Sequence, residues 1–199
     1  MKSLETILNE YRSFLSEVSE EAGRLEEIYR NHMVCRKGCS ACCTDLSLLP
    51  LEWYVLRRSL RESDPSMAPL KEEGRCSLLE QDACRLYPSR PLICRTHGLP
   101  LLYLMEEYDA SGARTGLDDP EWQISWCDLN FTEVDEDSME EVFDPEDVLN
   151  MEYWNQQLKE LNREFLETGE GLPFRGKARF SLEEIFSSDD PGEVPSVIS

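Results

Sequence analysis

The chain has 199 residues, of which 40% are hydrophobic and 31% charged, and its formal net charge is −21 at pH 7. This length suits one domain with a hydrophobic core of ordinary size. The negative charge argues against binding to nucleic acids or anionic membranes. No stretch approaches the roughly 20 apolar residues of a membrane helix. The first residues lack the apolar run of a signal peptide, so we expect a cytoplasmic protein with reduced thiols.

The first predicted element is a long amphipathic helix over residues 3–32. Apolar residues recur there at steps of three and four, and glutamates fill the opposite face. Ser3 is a suitable N-cap, because its hydroxyl can accept a hydrogen bond from the first turn. We expect the apolar stripe of this helix to pack on the rest of the domain.

Eight cysteines follow, and four of them lie within nine residues in the spacing C-x3-C-x2-C-C. Thiols this close together in a reducing compartment are most simply ligands of a metal ion or an iron–sulfur cluster. We therefore predict as metal ligands Cys35, Cys39, Cys42, Cys43, Cys76, Cys84, Cys94 and Cys127.

The number of thiols leaves the kind of centre open. One tetrahedral zinc ion uses only four thiols, whereas all eight would require two four-ligand sites or one polynuclear centre. Side chains of adjacent cysteines are expected to point apart. We therefore expect Cys42 and Cys43 to serve different ligand positions, or one of them to lie outside the ligand set.

The cysteine-bearing segment differs in charge from the rest of the chain. Residues 35–95 contain 10 Lys/Arg and 8 Asp/Glu, so the negative charge lies elsewhere. Basic side chains near the thiols would offset the negative charge of a thiolate-bound metal and favour ionised thiols. The candidates are Arg36, Lys37, Arg75, Arg85, Arg90 and Arg95.

The middle of the chain predicts one helix, one hairpin and two strands. Pro50 suits the first turn of the helix, which we expect to run through Leu60. The hairpin spans residues 76–86 and turns at Gln81-Asp82. The two strands cover residues 99–108 and 122–126, joined by the turn SGARTG.

The last part of the chain begins with residues 133–147, which include nine acids and predict a solvated loop. Asp144 predicts the N-cap of a second long helix, with Pro145 at its first position and Gly169 at its end. Ser181 and Glu184 match a capping box for a short helix over residues 182–186.

These elements predict an α+β fold that is mainly helical. Two long amphipathic helices would lie around a small, irregular, cysteine-rich metal-binding centre with a few short strands. We expect a single domain over residues 1–186 and a disordered tail over 187–199. Within the domain, the predicted parts are the first helix at 3–32, the metal-binding region at 35–131 and the C-terminal helices at 144–186.

We call Cys35, Cys39, Cys42 and Cys43 the cysteine nest. A second motif follows this nest. The segment from Cys76 to Arg95 has the pattern C-x-x-L, followed after a gap by C-x-x-Y-x-x-R-P-x-x-C-R. Together with the nest, it resembles the YkgJ-type cysteine-cluster family, described as zinc- or iron-chelating. The matching residues are Cys76, Leu79, Cys84, Tyr87, Arg90, Pro91, Cys94 and Arg95.

The resemblance extends over about residues 35–131, because Trp126-Cys127-Asp-Leu-Asn130-Phe131 is similar to the downstream cysteine of longer family members. The spacing C-x3-C-x2-C alone also occurs in radical-SAM enzymes. This chain is short for their barrel and lacks its alternating strands and helices, so we discount that class.

The resemblance implies a metal-binding protein, and we prefer an iron–sulfur cluster to zinc as the cofactor. Clustered cysteines followed by an R-P element more often hold a cluster, whereas zinc would suit a structural role. We predict Arg90, Tyr87 and Arg95 as residues that contact the cofactor. Arg90 could instead bind backbone carbonyls, and Tyr87 could only pack. His97 and His32 are weaker candidate ligands.

Three functions follow from these predictions. The first is a metal- or cluster-binding protein of cytosolic redox or metal handling. The second is a cluster-dependent enzyme that modifies a protein side chain, and the third is a protein-interaction module stapled by zinc. The acidic exterior would suit a basic protein partner, although solubility explains it equally well.

Overall fold

The computed structural model of the chain describes residues 2–64, 66–70, 72–105, 121–135, 138 and 142–187. These residues contain four α-helices and seven short strands, so the α+β class is confirmed. The helices are α1 (Leu4–Ile28), α2 (Pro50–Ser63), α3 (Leu92–Thr96) and α4 (Met151–Phe165). The strands are β1 (Ser47–Leu48), β2 (Leu79–Glu80), β3 (Ala83–Cys84), β4 (Leu101–Leu104), β5 (Trp122–Ser125), β6 (Leu149–Asn150) and β7 (Phe180–Ser181).

The chain divides into two compact units. The first unit comprises residues 1–16, 36–94 and 158–199, and the second comprises residues 17–35 and 95–157. A single domain over residues 1–186 stays a prediction, as does the arrangement of two long helices around a cysteine-rich centre. None of the described helices has the length and apolarity needed to cross a membrane.

Helix α1 begins where its sequence predicts. The Ser3 hydroxyl accepts a hydrogen bond from the Thr6 N–H at 3.2 Å, which caps the first turn. The helix ends at Ile28 rather than at residue 32. Beyond it, the His32 N–H bonds the Tyr29 carbonyl at 2.8 Å, so the predicted last turn of the helix is instead a tighter turn.

The core of the first unit is built on helix α2, which begins at Pro50 as predicted and continues to Ser63. Trp53 is buried on this helix, with its ring centroid 5.7 Å from that of Phe174 and 5.1 Å from that of Phe180. Its indole N–H donates to the Ser181 carbonyl at 3.2 Å. Strands β1 and β7 pair antiparallel beside this cluster, with Leu48 opposite Phe180.

The second unit contains a three-stranded sheet of order β5-β4-β6. Strands β4 and β5 lie within the two predicted strands and pair antiparallel, and β6 joins β4 in parallel. An aromatic cluster fills the core of this unit, since the ring centroid of Phe131 lies 5.3 Å from that of Tyr29 and 5.0 Å from that of Phe143. This cluster fixes the segment after Cys127.

The second long helix starts later than its sequence predicts. The Asp144 carboxylate accepts the Glu146 N–H at 2.9 Å, but it caps only the 3-10 turn Pro145–Asp147. Leu149 lies in strand β6, because its N–H bonds the Pro100 carbonyl at 2.9 Å. Helix α4 therefore begins at Met151 and ends at Phe165, before the predicted stop at Gly169.

The last predicted helix also differs from its prediction. Residues Leu182–Phe186 form a 3-10 helix, and the Ser181 hydroxyl accepts from the Glu183 N–H at 3.2 Å. The Glu184 carboxylate pairs with Lys177 at 2.6 Å. The SGARTG turn, residues 188–199 of the predicted tail and part of the acidic loop lie outside the described residues.

Candidate metal centre

Three of the four cysteines of the nest, Cys39, Cys42 and Cys43, belong to the first unit and lie on a loop of tight turns. The Cys39 N–H bonds the Arg36 carbonyl at 2.9 Å, and the Cys43 N–H bonds the Ser40 carbonyl at 3.0 Å. Gly38 has φ +99°, which favours glycine because it has no Cβ. A hydrogen bond from Cys42 lowers the pKa of Cys43, but burial raises it by more. Different ligand positions for these two adjacent cysteines stay a prediction.

The backbone joins this nest to the second cysteine motif. The Cys76 N–H donates to the Cys43 carbonyl at 3.0 Å. Strands β2 and β3 then form the predicted hairpin, in which Cys84 lies opposite Leu79. Helix α3 carries Cys94, whose N–H bonds the Pro91 carbonyl at 3.1 Å. A loop, a hairpin and a short helix thus supply thiols within one unit.

Electrostatic effects connect Cys43, Cys76, Cys84 and Cys94, and Cys39 adds a smaller effect on Cys43. Burial, together with smaller contributions from the thiols of Cys76, Cys84 and Cys43, raises the pKa of Cys94 to about 12. Burial likewise raises the pKa of Cys43, with further contributions from Cys76 and Cys84. The pKa of Cys76 is raised by burial and by Cys84. We call Cys43, Cys76, Cys84 and Cys94 the four-thiol cluster. Its raised pKa values favour protonated thiols.

Two of the predicted basic residues act on the four-thiol cluster. Arg90 lowers the pKa of Cys84 and Cys94, and Arg85 lowers that of Cys84 and Cys76. For all three thiols, burial is the larger effect, so the net shift is upward. The arginines therefore oppose the cost of ionising the thiols without removing it.

The three predicted cofactor-contacting residues have backbone or surface partners. Arg90 donates to the carbonyls of Tyr87 at 3.2 Å and Cys94 at 2.9 Å, and its guanidinium lies 3.7 Å from the centroid of the Tyr87 ring. Arg95, in the second unit, donates to the Ser19 hydroxyl at 2.9 Å. Arg90 thus binds backbone carbonyls, the alternative that the sequence left open, and steadies the segment that bears Cys94. Contact of these residues with a cofactor stays a prediction.

A polar clamp that the sequence did not indicate joins the nest to the hairpin. The Asp82 carboxylate accepts from the Ser40 hydroxyl at 2.6 Å and from Arg75 at 2.8 Å. Gln81 and Asp82 have φ of +48° and +60°, which is the left-handed turn that a tight hairpin requires. Arg75 therefore holds this turn beside the nest.

Cys35 and Cys127 belong to the second unit, where a buried amide connects their segments. The Asn130 side-chain amide donates to the Cys35 sulfur at 3.2 Å, and the backbone N–H of Asn130 donates to the Cys127 carbonyl at 2.8 Å. The amino-acid sequence places Asn130 in the segment that is similar to longer family members but indicates no role for it.

The two histidines differ in their surroundings. His97 is exposed. His32 pairs with the Glu133 carboxylate and stacks on the Phe131 ring, with centroids 5.8 Å apart. The pairing with His32 holds the pKa of Glu133 below its usual range.

The donor set fits a thiophilic metal. No disulfide links any of the eight cysteines, all of which lie in the described residues. Within that part of the chain, no three Cys, His, Asp or Glu side chains are already arranged as a metal-binding group. Protonated thiols do not attract one another, whereas thiolates bind a common cation. Metal binding would therefore release the thiol protons and bring the sulfurs of the four-thiol cluster closer together.

The fold and these thiols define a cysteine-rich α+β protein with the donor set of a metal site. Residues 34–123 match the model of the CxxCxxCC family, a "putative zinc- or iron-chelating domain". The match confirms the resemblance to the cysteine-cluster family and supports metal binding in its coarse form, zinc or iron. Cys127 and Asn130 lie beyond the matched residues. Neither a curated protein nor a solved structure matches the chain.

Proposed function

We propose that this protein binds a metal through cysteine thiolates and that the four-thiol cluster provides its principal ligands. The observation that carries the proposal is that one compact unit contains all four thiols, on a loop, a hairpin and a short helix, and that they lie within the residues that match a zinc- or iron-chelating family. Like-charged thiolates brought together in a partly buried place repel each other, and a cation removes that repulsion.

An iron–sulfur cluster is our preferred cofactor, and zinc is the alternative. Four thiolates are the usual ligands of both cofactors, so the number of thiols in the four-thiol cluster fits an iron–sulfur cluster and a zinc ion equally well. The close spacing of Cys39, Cys42 and Cys43 supports iron–sulfur, because closely spaced cysteine thiolates are the usual ligands of such clusters. When bound, the cluster would supply one-electron redox chemistry, in keeping with a role in cytosolic redox or metal handling.

The chain's own residues would orient the ligands. Arg90 fixes the carbonyls of Tyr87 and Cys94, and Asp82 ties the hairpin that bears Cys84 to the nest through Ser40. Arg85 and Arg90 favour the ionised form of nearby thiols. Each of these residues would favour metal binding, either by restricting the motion of the ligand segments or by lowering the free energy needed to ionise the thiols.

Anaerobic purification followed by iron, zinc and sulfide analysis and a visible spectrum tests the proposal. We expect a coloured protein with iron and sulfide in similar amounts. A colourless protein with stoichiometric zinc would refute the iron–sulfur cluster but not metal binding. A protein that binds neither metal after reconstitution would refute both.

Single substitutions test the four-thiol cluster as the ligand set. We expect Cys84→Ser and Cys94→Ser to lower metal content strongly, because each removes one thiolate. Ser77→Ala is a matched control, since Ser77 is buried next to Cys76 and its hydroxyl has no hydrogen-bond partner among the described residues. The ligand set is wrong if the two cysteine variants retain as much metal as Ser77→Ala.

A further inference from the structure

The Asn130 side chain is almost completely buried, at 1% exposed, and each of its polar atoms has a partner. Its carbonyl oxygen accepts the Val34 N–H at 2.9 Å. Its amide nitrogen donates to the Gly98 carbonyl at 2.7 Å and to the Cys35 sulfur at 3.2 Å. The backbone N–H of Val34 can only donate and the carbonyl of Gly98 can only accept, so these partners fix the orientation of the amide.

Gly98 lies beside both the Cys35 sulfur and the Asn130 amide. A Cβ at position 98 would lie 2.7 Å from the Cys35 sulfur and 3.4 Å from the Asn130 amide nitrogen. Gly98 also has φ +103°, which side chains rarely adopt. The sulfur therefore occupies space that only glycine leaves open. We call Asn130 and Gly98 together the Cys35 socket.

We infer that the Cys35 socket positions the Cys35 sulfur as a metal ligand, with Asn130 donating an N–H···S hydrogen bond to it. This inference rests on the proposed function, because it takes Cys35 to be one of the thiolates that bind metal. It assigns a role to Asn130, which lies outside the residues that match the family, and to Gly98, which the sequence did not single out.

The chemistry of thiolate ligands supports this role. An N–H directed at a sulfur reduces its negative charge and fixes its direction, and loss of such outer contacts typically lowers metal affinity 10- to 100-fold. The Asn130 side chain contacts the chain at three points, the Val34 N–H, the Gly98 carbonyl and the Cys35 sulfur. A role confined to packing would need no donor aimed at the sulfur.

Cobalt(II) titration of the reduced, chelator-treated full chain under anaerobic conditions provides the test. Cobalt bound to thiolates shows a charge-transfer band that depends on each ligand sulfur. We expect Asn130→Ala to weaken cobalt binding about 10- to 100-fold and to shift this band. Gly98→Ala should also shift the band while the Asn130 amide is intact, because its Cβ would displace the sulfur.

A double-mutant cycle separates positioning from general structure. We expect Cys35→Ala to weaken cobalt binding, and Asn130→Ala to have no further effect in the Cys35→Ala background. Should Asn130→Ala fail to fold by circular dichroism, Asn130→Asp takes its place in the cycle, because it keeps an oxygen for the Val34 N–H and loses the donor to sulfur.

Asn150→Ala is the matched control, since it removes an amide of the same unit that caps helix α4 at the Tyr153 N–H. It should leave the cobalt band unchanged. Equal effects of Asn130→Ala in both backgrounds, or a wild-type band in Gly98→Ala, would overturn the inference. If wild type binds cobalt and Cys35→Ala binds it equally well, the socket inference fails and the proposed function stands. If wild type binds no cobalt through thiolates, both fail.

Discussion

Glu52 is a buried carboxyl group that links two helices of the first unit. It is 4% exposed, and its two oxygens accept the Leu49 N–H at 3.3 Å and the Leu92 N–H at 3.1 Å. One carboxyl group thus caps the start of α2 and holds the first residue of α3, the helix that carries Cys94. Burial raises the pKa of Glu52, although the backbone donors at Leu92 and Leu49 act in the opposite direction.

The raised pKa fixes the sign of the pH dependence. A glutamate in the unfolded chain has a pKa of about 4.3, so the folded protein retains the Glu52 proton to a higher pH. The stability from this group is fully present below the unfolded pKa and is lost as pH rises through the folded pKa. Each unit by which the pKa is raised corresponds to about 1.4 kcal/mol lost at high pH.

Glu52→Gln removes this titration while keeping the shape of the side chain. The glutamine carbonyl can serve one N–H, but its NH2 cannot accept from the other, which costs about 1–3 kcal/mol for an unsatisfied buried donor. We therefore expect wild type to exceed Glu52→Gln in stability near pH 5. That advantage should shrink towards pH 8, where wild type must bury an ionised carboxylate.

Urea unfolding of the reduced, metal-free proteins, followed by circular dichroism between pH 5 and 8, measures this difference. The range stays above the isoelectric point of about 4.4. Glu62→Gln is the control, because Glu62 is an exposed residue of α2 paired with Arg58, and its effect should stay within about 0.5 kcal/mol. A Glu52→Gln difference that is constant with pH, or that grows as pH rises, would refute the reasoning.

Three further outcomes are expected. Gly171→Ala should destabilise the protein by about 1–3 kcal/mol in thermal or urea unfolding, because a Cβ would lie 1.9 Å from the Phe165 carbonyl oxygen. Gly176→Ala is the control and should not destabilise it, since no described atom lies within 4 Å of a Cβ at that position. Asp82→Ala should speed hydrogen exchange in the β2–β3 hairpin but change global stability by less than about 1 kcal/mol, since its ion pair is exposed. Chelation of the bound metal should reduce hydrogen-exchange protection across residues 35–127 more than in α1 and α4; equal loss everywhere would contradict this.

Local patterns predicted the elements that depend on neighbouring residues. Pro50 begins α2, the Gln81-Asp82 pair turns the hairpin, and Ser3 caps α1, because each of these features is decided within a few residues. Leu149 was assigned wrongly to a helix. Its apolar spacing suits the helical stripe, but its N–H bonds the Pro100 carbonyl and it lies opposite Leu101. That partner is distant in sequence, and its effect overrides local propensity.

The cysteines of the candidate metal site also depend on contacts with distant residues, which local sequence patterns do not predict. Their spacing predicted a thiol-rich centre, and residues 34–123 match a chelating family. Spacing did not predict the partner of each thiol, because Cys35 belongs to one compact unit and Cys39 to the other. The amide that contacts Cys35 comes from Asn130, 95 residues later. A motif can therefore name the donor atoms of a metal site, whereas the residues that orient those atoms depend on the packing of distant segments.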